Sequence, residues 1–254
     1  MKFVQKVYNP LGMACGPVVS IPSIFRSLRA IYQSGGSHPE YAKLGLNPYG
    51  GCSHDCKYCY NKRSYLHKGS YEQPTKKASL KNIQNDLMIL EGARDKTPVH
   101  ISFMGDPYDV GRTDNSYVRS IIKTFRAYDH PFQILTKGGM LAAKDFDLYG
   151  PNDKFGVTLT FDNDADSKRY EPGAALPADR IEALKEAQNQ GINTWVSCEP
   201  VIDPAQTLNL IELTNEFVDL FWIGKLNHYH EIEAKIDWPK FRNDAEVLLQ
   251  KCGK

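Results

Sequence analysis

The chain has 254 residues, with 31 Lys+Arg against 30 Asp+Glu and a formal net charge of +1, a balance that argues against a general polyanion binder. A mean hydropathy of −0.46, and no apolar run near the ~20 residues a membrane helix needs, argue against a helical membrane protein. Hydrophobic residues at 41% and charged residues at 24% suit a globular domain, and the opening Met-Lys-Phe-Val-Gln-Lys-Val lacks an export-signal pattern, so a cytoplasmic protein is expected.

Residues 1–42 read as an irregular extension packing on the core, interrupted by Gly12, Gly16, Pro17, Pro22 and Gly35-Gly36. Beyond them, strand-like and helix-like segments alternate. A strand at 43–49 runs into a cysteine-rich loop, and a helix is predicted over 80–94. Strands at 98–104, 131–136, 154–161, 192–198 and 219–224 then alternate with helical patterns at 117–129, 140–148, 178–190 and 205–217. Asn115-Ser116, Pro177 and Asp203-Pro204 mark helix starts, and Gly191 sits where a helix should end. The core spans 43–225, and a C-terminal segment, 226–254, carries one more helix at 239–249. Each parallel strand needs a crossover, so this alternation predicts a parallel sheet, either an open twisted sheet or a partial barrel. Both architectures place chemistry at the carboxyl ends of the strands.

Six cysteines are present, and three of them crowd into Cys52-Ser-His-Asp-Cys56-Lys-Tyr-Cys59. Clustering of this kind indicates a metal or iron–sulfur site rather than a disulfide framework. Cys15 and Cys252 have no partner at ligand spacing. A C-x₃-C-x₂-C loop offers three thiolates, one short of closing a tetrahedral site, and an open corner serves catalysis rather than structure. Gly50 and Gly51 let the chain turn tightly around a bulky ligand. A zinc knuckle completed by His54, Asp55 or a distant histidine is the competing assignment.

With an aromatic residue just before its third cysteine, Cys52-x₃-Cys56-x-Tyr58-Cys59 resembles the signature of the radical S-adenosylmethionine (SAM) superfamily. The longer string from Asn47-Pro48-Tyr49-Gly50-Gly51 through Tyr60 resembles its spore photoproduct lyase-related branch. The resemblance covers residues 43 to about 225 and implies an α/β partial (β/α)6 TIM-like barrel, parallel strands with helices outside. It further implies a [4Fe–4S] cluster on Cys52, Cys56 and Cys59, with SAM on the remaining iron. Reductive cleavage to methionine and a 5′-deoxyadenosyl radical, then hydrogen abstraction from substrate, is the chemistry such a cofactor carries. A reductant such as flavodoxin or ferredoxin is the partner expected with it.

The other strand ends supply candidate SAM contacts. Tyr58 belongs to the signature itself. Gly105 and Asp106, in Ser102-Phe103-Met104-Gly105-Asp106-Pro107, occupy the place where the family pairs its backbone with the SAM amino group, although Gly-Asp-Pro is also good turn chemistry. Thr136-Lys137 is similar to a pair in the lyase-related branch, with Lys137 near the SAM carboxylate. Alternation puts Thr158, Thr160 and Asp162 on one face, with Thr160 the preferred contact and Asp162 an alternative helix cap. The same parity groups Trp195, Ser197 and Glu199 and turns Cys198 toward the core. Glu199 is a candidate for SAM or substrate. Lys225, Asn227 and His228 follow the sixth strand, at positions that could line the substrate side of the barrel mouth.

The branch resemblance has limits. The cysteine with which spore photoproduct lyase returns hydrogen to its product lies near the second strand's end, and Ser102–Asp106 contains none. No basic or aromatic-rich C-terminal module for a DNA duplex follows the core, and the overall charge does not support nucleic-acid binding. The expected activity is therefore that of a radical SAM enzyme, possible lyase, acting on an unidentified small molecule or nucleotide. DNA photolesion repair is the alternative enzyme, and a non-catalytic zinc or iron–sulfur module the alternative of another class.

Overall fold

Short apolar runs become strands here because helices cover them on one face and a filled lumen on the other. The computed structural model describes residues 26–35, 41–63, 75–76, 78–226 and 229–254. Cys15, Asn227, His228 and most of the 1–42 extension lie outside the described residues. The strands are β1 (Ile31–Gln33), β2 (Leu44–Leu46), β3 (Tyr49–Gly50), β4 (Thr75–Lys76), β5 (Val99–Ile101), β6 (Phe132–Thr136), β7 (Lys154–Thr158), β8 (Asn193–Val201) and β9 (Leu220–Lys225). The main sheet has the order β1-β2-β5-β6-β7-β8-β9, with β1 antiparallel at one edge and the other pairings parallel. Its six parallel strands are the six predicted ones. The first is shorter than expected: Asn47-Pro48 separates β2 from β3, which pairs antiparallel with β4 in a small two-stranded sheet.

The sheet curves into a partial barrel. His100 on β5 and Trp195 on β8 are separated by two intervening strands, yet their ring centroids lie 6.1 Å apart. Tyr41 reaches His100 at 6.0 Å and stacks on Trp222 of β9 at 5.2 Å, bridging the same lumen. The Trp195 indole rests on Gly156, where any side chain would collide with it.

Helices α1 (Tyr60–Arg63), α2 (Leu80–Gly92), α3 (Ser116–Ala127), α4 (Asp164–Tyr170), α5 (Pro177–Asn189), α6 (Pro204–Thr214), α7 (His230–Glu233) and α8 (Trp238–Lys251) fill the connections and the C-terminal segment. Ile83, Leu87 and Leu90 of α2, and Val118, Ile121, Ile122 and Phe125 of α3, follow the 3.6-residue period and are buried. They pack with Leu44, Val99, Ile101, Phe132 and Ile134 in one core. Asp86 breaks the apolar stripe of α2 and explains β1: its carboxylate accepts the backbone N–H of Arg29, Ala30 and Ile31 at 2.6–3.0 Å. A side chain 55 residues onward thus pins the edge strand.

Two local expectations change. The predicted helix at 140–148 is a 3-10 helix, Gly139–Leu148, whose buried Gly139, Ala142 and Asp145 recur every third residue. Asp145 is drawn inward by Tyr108 Oη at 2.9 Å and Arg119 at 3.1 Å. Asn115 stands at the start of α3 without capping it, because its oxygen accepts from Arg112 at 3.0 Å. Asp203 does cap α6, accepting from Ala205 N at 2.9 Å.

Candidate active site

The cysteine loop sits over the carboxyl ends of β5, β6 and β7 and is fastened to them through its own residues. Ser53 N donates to Asp109 at 2.7 Å. Val110 N donates to His54 Nε2 at 3.0 Å, while His54 Nδ1 faces Asp106 at 3.5 Å. Burial pulls the His54 pKa down against the pull of Asp106 and Asp109, so a neutral ring fits this arrangement. His54 O accepts from Gly173 N at 2.9 Å, and Lys57 N donates to Tyr170 O at 2.8 Å, tying the loop to the segment after β7.

The second strand's loop is built to meet it. Asn47 Oδ1 accepts from Phe103 N and Met104 N at 3.0 and 2.9 Å, and its amide donates to Tyr32 Oη at 2.9 Å. Gly105 follows at φ +79°, and a side chain there would run into the Gly51 carbonyl, itself at φ +94°. These close backbones bring the Gly-Asp-Pro turn against the cysteine loop. Asn47→Ala leaves two amides without their acceptor and is expected to lower unfolding free energy by about 2 kcal/mol. Urea unfolding of the variant checks this, and a change below about 0.5 kcal/mol contradicts the bracing role.

Cys56 is 8% exposed, and Cys52 and Cys59 are partly exposed. Burial pushes the Cys56 thiol up to about 12, and pushes Cys52 well above its ordinary value with Asp106 and Asp109 adding to the rise. Thiols in this state are unreactive alone and become ligands when metal replaces their protons. His54 has protein partners at both ring nitrogens, and Asp55 pairs with Lys62. Among the described residues no three His, Cys, Asp or Glu side chains close around a single ion. The loop thus offers three thiols, and its two other potential donors, His54 and Asp55, are engaged by protein partners.

Beside the thiols lies a second buried group, on which three of the six predicted contacts, Tyr58, Lys137 and Thr160, converge. Tyr58 Oη donates to Glu171 and meets Thr160 Oγ1 at 3.2 Å. Lys137 Nζ stands 5.5 Å from the Tyr58 ring centroid. Burial lowers the Lys137 pKa, but the fields of Cys56 and Glu171 outweigh it and hold the group raised, as an ammonium. Glu171 in turn pairs with Arg180 at 2.6 Å, both being 1% exposed. Asp106 points away from the mouth: it accepts from Tyr108 N at 2.8 Å, Thr136 Oγ1 at 2.5 Å and Lys137 N at 2.7 Å.

Glu199 belongs to a neighbouring group. The register pairs Thr158 with Ser197, so Thr160 and Glu199 emerge from adjacent strands on the same face. Glu199 accepts from Tyr41 Oη, which also lies 2.9 Å from Ser197 Oγ, and its carboxyl covers Gly224. Cys198 is fully buried in the core on the opposite face. Asp162 accepts from Asn209 at 2.8 Å and caps nothing; Asn163 caps α4 instead.

Glu171, Arg180, Asp109 and Tyr41 were not among the predicted site residues. Arg180 left a signal, since it falls on the buried stripe of α5 with Pro177, Leu184 and Ala187. A charge on such a face requires a buried partner.

A family profile described as the radical SAM superfamily matches residues 46–218. An uncharacterized protein of Methanocaldococcus jannaschii is 29% identical over 194 residues, covering 73% of this chain and 71% of that protein. A spore photoproduct lyase mutant with bound AdoMet and dinucleoside spore photoproduct superposes with a TM-score of 0.69 at 14% identity, over 89% of this chain and 77% of that one. Streptococcus suis SuiB bound to precursor peptide SuiA gives 0.60 at 15% identity, over 82% of this chain and 45% of that one. At these identities the likeness is one of fold.

Proposed function

The chain belongs to the radical SAM superfamily, and from that premise we propose an enzyme whose Cys52, Cys56 and Cys59 hold a [4Fe–4S] cluster and whose barrel mouth binds SAM beside it. The observation that carries this reading is the convergence of the three-thiol loop with Tyr58, Lys137 and Thr160 at the strand ends. When bound, the cluster supplies the electron that splits SAM into methionine and a 5′-deoxyadenosyl radical, which abstracts hydrogen from substrate.

The protein's own part is binding, orientation and exclusion of water. Lys137 offers an ammonium to the SAM carboxylate, a charge-assisted hydrogen bond in a half-buried site. Gly105, pressed on Gly51, presents backbone to the amino group. Thr160 and the Tyr58 ring flank the ligand, and Asp106 fixes the amide of Lys137 from behind rather than touching it. Glu199, with Tyr41 and Trp222, faces the substrate side.

The substrate class favoured is a small organic molecule or nucleotide. Solved relatives of this fold hold a dinucleoside lesion or a precursor peptide. Spore-lesion repair is not favoured, because Ser102 stands near the place of the hydrogen-returning cysteine and donates to Met104 O and Gly105 O at 3.1 and 3.0 Å. A small one-electron carrier such as flavodoxin or ferredoxin is the reductant proposed.

The test is anaerobic reconstitution with iron and sulfide, then dithionite and SAM, assayed for 5′-deoxyadenosine. A loaded, reducible cluster that neither cleaves SAM nor changes its EPR signal on SAM addition contradicts the proposal. Lys137→Ala is expected to weaken SAM binding by about tenfold or more at unchanged iron content. Equal affinity in the two proteins removes Lys137 from the site.

A further inference from the structure

Arg180 spends its whole guanidinium inside the protein. Nη2 donates to Glu171 at 2.6 Å, Nη1 to Thr158 O at 2.9 Å and Nε to Ala175 O at 2.7 Å. Each acceptor leads to a different side of the mouth. Thr158 ends the strand that continues to Thr160. Ala175 N donates to Lys137 O at 3.0 Å. Glu171 accepts the phenol of Tyr58, which lies between Cys56 and Cys59 in the loop.

A purely structural account leaves the charges unexplained. Two apolar side chains of similar volume would pack this position as well, because a buried ion pair gives back in Coulomb energy roughly what it loses in desolvation. What an apolar pair cannot do is fix the direction of a phenol O–H. A carboxylate anchored by a guanidinium does so, and it holds the ring in one orientation against Thr160 and below Lys137.

We infer that Glu171 and Arg180 are positioning residues that act through Tyr58 to set SAM affinity. This rests on the SAM site proposed above.

The test is a double-mutant cycle on the reconstituted holoprotein, with SAM affinity from equilibrium dialysis under oxidised, non-turnover conditions. Iron content and thermal midpoint are followed in parallel. Tyr58→Phe removes the donor, and Glu171→Gln keeps shape and an acceptor while removing the charge. Each is expected to weaken SAM binding by about five- to tenfold at unchanged iron content. The double variant is expected to bind no more weakly than the worse single variant, because both changes cut one connection. A merely structural pair would lower the thermal midpoint and leave the affinity of the folded fraction alone, which overturns the inference. So do multiplying losses in the double variant, or a Glu171→Gln protein within about twofold of wild type. A loaded wild-type protein that binds no SAM overturns the underlying site, and this inference with it.

Discussion

Replacing Cys52, Cys56 or Cys59 with alanine is expected to abolish cluster loading and SAM cleavage while leaving the fold intact. The loop has three thiols, and the cluster proposed for it takes three protein ligands, so none is spare. No described neighbour stands ready to substitute. His54 is held at both nitrogens, Asp106 already accepts from Thr136 and from the Lys137 amide, and Cys198 lies buried in the core on the far face of the sheet. Groups that only brace metal ligands cost about 10–100-fold when removed, and loss of a ligand exceeds that. The measurements are iron and sulfide after anaerobic reconstitution, 5′-deoxyadenosine formed, and far-UV circular dichroism. Native iron content and activity in all three variants would refute the assignment. A protein that keeps stoichiometric zinc and forms no 5′-deoxyadenosine would favour the non-catalytic module.

The parts of this molecule legible in its sequence are those set by local pattern. The six parallel strands are short, bounded by turn residues and separated by helical periodicity, so their number and parallel pairing follow from the alternation, whereas the partial barrel is implied only by the family resemblance. Strand parity alone separates Thr160 and Glu199 from Cys198, because a two-residue period leaves no other choice. What stayed hidden depends on distant partners. Strand β1 exists because Asp86 supplies acceptors across 55 residues, and no local signal announces that. The family resemblance places Asp106 at a cofactor-contact position, and in the fold its carboxylate accepts from Thr136 at the end of the next strand and from the amide of Lys137 just beyond it. Tyr41 lies outside every predicted element and still joins Ser197, Glu199 and Trp222 across the lumen. Glu171 follows a short helix and looks like any exposed acid until Arg180 is placed opposite.

Arg180→Met is expected to be the most destabilising single change in the site, lowering unfolding free energy by about 3–5 kcal/mol. The loss comes from what is left behind. Glu171 keeps a buried carboxylate without its guanidinium, and the carbonyls of Thr158 and Ala175 lose their donors. Burial alone would raise the Glu171 carboxyl pKa; Arg180 and Lys137, with hydrogen bonds from Arg180 and Tyr58, outweigh it and hold it low. In the wild type, therefore, Glu171 contributes stability above the ordinary carboxylate range, and that contribution is lost as pH falls through its lowered pKa. Without Arg180 the balance tips toward burial, so the folded variant binds a proton that the unfolded chain releases. Its deficit should then grow as pH rises from about 5 to 7.5, a slope of the opposite sign. Adding Glu171→Gln to Arg180→Met removes the stranded charge and is expected to recover at least about 1 kcal/mol at neutral pH and to abolish that slope. Urea unfolding of the three variants at both pH values decides it. A pH-independent deficit in Arg180→Met, or a double variant less stable than the single one, would show that the pair's charges are not what the surrounding fold depends on.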